Sequence, residues 1–216
     1  MANPSQLVRT LSEATGVALA TVVDIDRRLV KANLRSKGGR GLHAARVTAL
    51  DASRLLTAIL GSAQANLAAS AVARYAATQV DPARSSEKLF SASGLGDLVD
   101  LPAQHSFVDG LANLISSATN GALARVIRKN KKITPLFFEI FAFTQATYGR
   151  IRLAGLPNGM TVNIEYLPAP ELKSWHQEKE ERGSAKISEH AGDLEQSRRV
   201  TERTILALAK LLAEER

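Results

Sequence analysis

Basic side chains are concentrated in one short part of this 216-residue chain, residues 27–54. The window holds eight lysines and arginines against one aspartate, so it carries the whole formal excess of +7. By contrast, residues 133–216 hold eleven bases and twelve acids. Guanidinium and ammonium groups bind phosphate, and a guanidinium also donates two hydrogen bonds to a guanine edge. Because a focused basic patch attracts polyanions, the window predicts a nucleic-acid partner. The alternative is a solvated helix face followed by a loop.

The candidate binding side chains lie in a predicted helix and in the glycine-rich segment after it. They are Thr21, Asp24, Arg27, Arg28, Lys31, Arg35, Lys37, Arg40, His43 and Arg46. We expect Arg27 and Arg28 to bind guanine or phosphate, and the segment from Lys37 to Arg46 to reach the backbone or the minor groove. Residues 18–20 are poor base readers. Asp24 repels phosphate unless it accepts a hydrogen bond from cytosine or from an arginine.

Two short helices must position these side chains. Apolar residues recur at helical spacing on both sides of Gly16, which suits the positive φ of a tight turn. The first helix is expected to begin at a cap on Asn3 or Ser5. The second is expected to cover residues 18–33.

The segment that follows, residues 35–46, contains three glycines and is predicted to be a basic loop that leads into a short strand ending at Val47. The order of helix, glycine turn, helix and basic loop resembles the winged helix-turn-helix region of bacterial and phage DNA-binding regulators. The resemblance covers residues 5–48 and is carried by Thr15, Gly16, Val17, Val22, Ile25, Leu34, Gly39, Arg40 and Gly41. It implies that the second helix enters the major groove and that the loop acts as a wing. The alternative is a plain pair of packed helices over residues 11–34.

A long helix is predicted after the loop. Thr48 and Asp51 form a capping pair at its start. Apolar residues then continue at helical spacing from Ala49 to about Gln79, with a bend allowed at Gly61.

The second half of the chain predicts an antiparallel sheet with helices. Helices are expected at residues 106–117 and 194–214, and Asn158-Gly159 predicts a hairpin between two alternating strands. The predicted fold class is α+β. Its expected parts are a winged helix-turn-helix domain with a long helix at 1–80, a linker at 81–105 and an α+β oligomerisation or partner-binding domain at 106–216.

Other reactive side chains give no catalytic or metal site. The chain has no cysteine, its four histidines lack ligand spacing, and no nucleophile with a base can be assembled. We therefore expect no enzyme activity, no metal and no cofactor. Glu139 and Glu165 are expected to be cross-strand partners of Arg150 and Arg152. A second basic cluster is expected to end an exposed helix or to touch nucleic acid: Arg125, Arg128, Lys129, Lys131 and Lys132.

The sequence therefore favours a cytoplasmic, sequence-specific regulator of transcription that binds double-stranded DNA as a homodimer or larger homo-oligomer. Its C-terminal domain is expected to provide oligomerisation or a protein partner. Two alternatives remain open: a phage-type DNA packaging or assembly protein, and a protein whose second domain senses a ligand. No membrane contact is expected, because the sequence shows neither a signal peptide nor a membrane-spanning run.

Overall fold

The computed structural model describes residues 2–36, 46–82, 85, 101, 104–130, 137–144, 147–154, 161–169 and 196–213. In this part of the chain, seven α-helices, a short 3-10 helix and five antiparallel strands form an α+β fold. The predicted fold class is confirmed at that level. No helix among the described residues has both the length and the apolar character needed to cross a membrane.

The helices and strands alternate in a mixed order along the chain. The helices are α1 (Pro4–Thr15), α2 (Leu19–Lys31), α3 (Ala49–Gly61), α4 (Ala68–Ala76), α5 (Phe107–Thr119), α6 (Ala122–Asn130) and α7 (Glu202–Ala213), with a 3-10 helix at Ala65–Leu67. The strands are β1 (Thr78–Val80), β2 (Phe137–Phe143), β3 (Gly149–Ala154), β4 (Val162–Pro168) and β5 (Ser197–Thr201). The sheet order is β1-β4-β3-β2-β5, and neighbouring strands are antiparallel.

Reciprocal capping hydrogen bonds begin three of the helices. Asn3 with Gln6 caps α1, Thr48 with Asp51 caps α3, and a third capping box starts α5 at Ser106. Each box satisfies backbone N–H groups that have no partner inside the helix. The predicted caps at Asn3 and Thr48 are confirmed.

Two long helices expected from the sequence are shorter than predicted. The first stops at Gly61, and the chain then turns back through α4 and ends in β1, so that α4 packs on α3. The last helix begins at Glu202, because residues 197–201 pair with β2 as the edge strand β5. Val200 of this strand is 8% exposed and joins the core. In both places, contacts with another element determine where the helix ends or begins, although the apolar residues continue at helical spacing.

One hydrophobic core joins the two halves of the chain. It includes residues from Ala2 to Ala209. Helix α1 packs on α2 and α7, α3 packs on α4 and α5, and both α3 and α7 contact β2 and β5. The helices before and after the predicted linker at 81–105 therefore share this core. The division into domains at 1–80 and 106–216 stays a prediction.

Three buried rings fit against three glycines where the helices meet the sheet. The ring centroids of Tyr75 and Phe107 are 5.1 Å apart, and those of Phe107 and Tyr166 are 5.4 Å apart. A Cβ atom on any of the three glycines would overlap the facing side chain. The facing pairs are Tyr75 with Gly61, Phe107 with Gly149, and Tyr166 with Gly110.

The substitution Gly110→Ala tests this fit. Alanine favours a helix by about 1 kcal/mol over glycine, but its methyl group would overlap the Tyr166 hydroxyl, which is buried and held by His105 at 3.0 Å. Overpacking costs about 1–3 kcal/mol. We therefore expect the unfolding free energy, measured by urea denaturation, to fall by up to about 2 kcal/mol. The control is Ser116→Ala, at an exposed position of the same helix, which should not destabilise the protein. A more stable Gly110→Ala protein contradicts the fit.

Candidate nucleic-acid interface

The helix pair is joined by the tight glycine turn that the sequence predicts. Helix α1 ends at Thr15, and Gly16 adopts the left-handed conformation with φ 73° and ψ 6°. The N–H of Gly16 donates to the carbonyl of Ser12 at 2.9 Å, and the Ser12 hydroxyl donates to the carbonyl of Val17 at 2.7 Å. These paired backbone groups fix the direction in which α2 leaves α1.

Helix α2 has one buried face and one exposed face. Val22, Ile25 and Leu29 are at most 3% exposed and pack in the core. Thr21, Arg27, Arg28 and Lys31, all candidate binding residues, are exposed. Three cations therefore project from a helix whose opposite side is anchored by apolar packing.

The end of α2 is fixed by backbone and side-chain hydrogen bonds. Asn33 adopts a positive φ of 57°, and the N–H of Leu34 donates to the carbonyl of Leu29 at 2.9 Å, which closes the helix. Arg54 of α3 donates to the Leu34 carbonyl at 2.9 Å. One of the eight bases in the basic window is therefore used within the fold.

Asp24 and Arg28 form an ion pair one helical turn apart. The distance from Arg28 Nε to Asp24 Oδ2 is 3.0 Å, and the two side chains are 43% and 47% exposed. Asp24 thus accepts from an arginine, which is one of the two roles expected for it. An exposed pair at this spacing contributes only about 0.3–0.5 kcal/mol, so a phosphate can displace the carboxylate at low cost.

Arg35 does not belong to the exposed set, which corrects the expectation for this residue. It is 5% exposed, and its Nη2 donates to Asp26 Oδ2 at 3.0 Å while its Nε donates to Asp26 Oδ1. A buried guanidinium with two hydrogen bonds to one carboxylate has a defined structural partner. It ties the chain that leaves α2 back onto that helix.

The carboxylate of Asp51 accepts hydrogen bonds from residues on both sides of segment 37–45. Its Oδ1 accepts from the N–H and hydroxyl of Ser36 at 3.2 and 3.4 Å. Its Oδ2 accepts from the N–H and hydroxyl of Thr48 at 3.0 and 2.8 Å. Asp51 is 3% exposed. One buried side chain therefore links Ser36, before the segment, to Thr48, after it, and also caps α3.

Of the other candidate binding residues after α2, only Arg46 is among the described residues. Lys37, Arg40 and His43 lie outside the described residues, whereas Arg46 is described and exposed. The strand predicted to end at Val47 is wrong at residues 46–48, which have no regular secondary structure. The Val47 N–H instead donates to the carbonyl of residue 2 at 3.1 Å.

An open groove of about 330 Å³ runs between α1 and α2. Arg9 of α1 and Arg27 of α2 line it, and Val8, Leu19 and Val23 contribute apolar surface. Sequence reasoning missed Arg9, because a single cation on a helix has no spacing that marks it. Only the packing of the two helices places it at the groove that Arg27 also lines.

The sheet bears out the predicted cross-strand ion pairs. Arg152 lies 3.4 Å from Glu139, and Arg150 lies 3.9 Å from Glu165. These pairs join β3 to its two neighbouring strands on the face that points away from the helices.

The remaining titratable groups are scattered. Arg125 and Arg128 of the second basic cluster are exposed on α6, and the side chains of its other three members lie outside the description. His105 is buried and hydrogen-bonded to the Tyr166 hydroxyl at 3.0 Å. In the part of the chain that the structure describes, no three side chains of the metal-binding types cluster together.

Comparison of the chain with protein-family models, with curated proteins and with solved structures gives no match. Its function is therefore inferred from its own residues.

The substitution Asp51→Ala removes the carboxylate that accepts from both Ser36 and Thr48. It leaves donors of Ser36 and Thr48 without their acceptor and removes the cap of α3. We expect the unfolding free energy to fall by about 1–3 kcal/mol, measured by urea denaturation. The control is Asp24→Ala, which removes an exposed carboxylate and should change stability by less than about 0.5 kcal/mol. Equal effects of the two substitutions contradict the role of Asp51.

The Asp26 carboxyl makes stability depend on pH. Burial raises its pKa above the ordinary value of 3.8, and Arg35 offsets only part of that shift. The folded chain therefore retains this proton to higher pH than the unfolded chain, so its contribution to stability is lost as the pH rises through the folded-state pKa. We expect the stability of the wild type relative to Asp26→Asn to decrease from acidic to neutral pH, measured by urea titration at each pH. The opposite trend means that pairing with Arg35 outweighs burial.

Proposed function

We propose that this protein is a sequence-specific regulator of transcription that binds double-stranded DNA, with residues 5–48 acting as a winged helix-turn-helix and the chain acting as a homodimer. The observation that carries the proposal is the exposed basic face of α2, anchored by a buried apolar face and preceded by a fixed glycine turn.

The dimensions of α2 suit a recognition helix. Its 13 residues extend for about 20 Å at 1.5 Å per residue, and an α-helix fits the major groove of B-form DNA. Thr21 lies in the first turns, where recognition helices contact base edges. Arg27 and Lys31 follow along the helix, within reach of guanine or of the flanking phosphates.

The start of α2 also supports contact with a phosphate. Its N-cap residue is Ala18, whose methyl side chain cannot accept from the first N–H groups of the helix, in contrast to the capping boxes of α1, α3 and α5. Uncapped N–H groups at a helix start, together with the helix dipole, favour an anion. Leu19, at the same end, is 46% exposed.

The loop after α2 is the proposed wing. Its candidate contacts Lys37, Arg40 and His43 are proposed on their sequence alone. The residues on either side of it, Ser36 and Thr48, both donate to Asp51 at the start of α3. A wing anchored in this way would contact the sugar-phosphate backbone next to the groove that α2 occupies.

The double substitution Arg27→Ala with Lys31→Ala tests the interface. We expect affinity for duplex DNA to fall about tenfold or more, because two phosphate-reaching cations are lost. The slope of log affinity against log salt concentration should also decrease by about 2, since each neutralised phosphate contributes about 0.9. Both quantities are measured by fluorescence anisotropy over a series of salt concentrations.

The matched control is Arg203→Ala with Lys210→Ala on α7, which removes the same charge away from α2. Equal losses in the two double variants would show that net charge, and not α2, governs binding. Undiminished affinity of the Arg27 and Lys31 variant contradicts the proposed interface.

Selection of bound fragments from random duplex DNA tests specificity and symmetry together. Two related half-sites spaced by about one helical turn or a multiple of it support a homodimer. Recovery of fragments with no shared sequence contradicts sequence-specific regulation and leaves general DNA binding.

A further inference from the structure

The face of the sheet that points away from the helices carries two polar cross-strand rows. The four strands β4, β3, β2 and β5 each contribute one residue to each row, in register. The first row is Glu165, Arg150, Phe141 and Arg199, and the second is Asn163, Arg152, Glu139 and Thr201. The opposite face carries the buried row Ile164, Ile151, Ile140 and Val200.

Arg150 stacks on aromatic rings but makes incomplete use of its hydrogen-bond donors. Its Cζ lies 5.0 Å from the ring centroid of Phe141 and 5.9 Å from that of Tyr148. Its Nη1 is 3.9 Å from Glu165, which is beyond hydrogen-bond distance. Within the structure as described, its buried Nε has no hydrogen-bond partner.

A buried acceptor on the adjacent row is unpaired as well. Asn163 Oδ1, next to Arg152 in the register, has no hydrogen-bond partner among the residues that the structure covers. Buried polar groups in folded proteins are nearly always paired. Both atoms are enclosed by protein atoms, so the groups of this face that a ligand can reach are its exposed arginine side chains.

The charge of this face favours an anionic ligand. Its three arginines share two glutamates, and Glu139 accepts from both Arg152 and Arg199. The arginine side chains remain 29%, 39% and 57% exposed at positions 150, 152 and 199. Arg199 also lies over Phe141, with its Cζ 6.0 Å from the ring centroid. Phe141 is thus flanked by two guanidinium groups.

We propose that this sheet face binds single-stranded nucleic acid, as a site separate from the proposed duplex interface. Bases stack on aromatic rings and on guanidinium planes, while arginines bind the phosphates between them. Here Phe141 with Arg150 and Arg199 forms the stacking and phosphate-binding row. A duplex does not fit this chemistry, because its base faces are already stacked on one another.

The double substitution Arg150→Gln with Arg199→Gln tests the site in the full chain. The probes are fluorescein-labelled oligo-dT and oligo-rU of about 15 nucleotides, a length that covers one or more binding sites of this kind, and a duplex of the same length. We expect single-strand affinity to fall about tenfold or more and duplex affinity to stay at the wild-type value. The two single-stranded probes distinguish DNA from RNA as the preferred ligand.

The matched control is Arg74→Gln with Arg203→Gln, which removes two exposed cations from α4 and α7. Thermal melting checks that each variant is folded. Because Arg150 is partly buried, Arg199→Gln alone provides a second test at a well-exposed position. It should weaken single-strand binding by about threefold.

Three results would overturn the site: unchanged single-strand affinity in both Arg199 variants, an equal loss in the control, or displacement of the oligonucleotide by polyglutamate at equal charge. The last result would identify an acidic peptide as the ligand. The two proposals can fail separately. The Arg27 and Lys31 variant tests duplex binding by α2, and the Arg150 and Arg199 variant tests single-strand binding by the sheet. A wild-type protein that binds only single strands would contradict the proposed function and support this site.

Discussion

The fit of three aromatic rings against three glycines sets how the helices lie on the sheet. Tyr75 shows the constraint most clearly, because its ring lies against Gly61 of α3 while its hydroxyl reaches the sheet. The single hydroxyl proton lies between the carbonyls of Phe143 and Tyr148, which are 2.7 and 2.9 Å from the hydroxyl oxygen, and that oxygen accepts from the Phe143 N–H at 2.9 Å. Burial raises the pKa of this hydroxyl, so it remains a neutral donor. One side chain therefore joins α4, α3 and the connection between β2 and β3.

The same core supports two outward surfaces with different chemistry. Helix α2 presents cations along a convex rod, backed by its buried stripe. The sheet presents three arginines around the partly exposed ring of Phe141, backed by its buried row of Ile and Val side chains. A helix fits a groove of duplex DNA, whereas arginines beside an aromatic ring suit unpaired bases and their phosphates. Because both surfaces are attached to one continuous core, their relative positions are set by the packing of the intervening helices.

The charge count of the basic window overstates the free charge on the folded surface. Arg28 and Arg35 pair with Asp24 and Asp26, which lie just outside the window, and Arg54 donates to a backbone carbonyl. A count along the sequence treats each base as solvated, whereas folding brings acceptors to some of them. For Arg28 the pairing is exposed and weak, but for Arg35 it is buried. The sequence therefore shows where bases are concentrated but does not separate the structural arginines from the exposed ones.

Local chemistry determined much of the fold, and contacts between distant residues decided the rest. The cap at Asn3, the turn at Gly16 and the alternation of β2 depend on neighbours only a few residues away, so the sequence alone predicts them. The end of α3 at Gly61 and the strand β5 could not be predicted in this way, because their partners lie in other elements. The unpaired donor and acceptor on the sheet also appear only in three dimensions, since hydrogen-bond satisfaction is a property of the assembled fold. The sequence by itself thus determined where basic charge is concentrated and where the helices capped at Asn3 and Thr48 begin. The tertiary structure decided which charges remain exposed, because only packing determines what each side chain contacts.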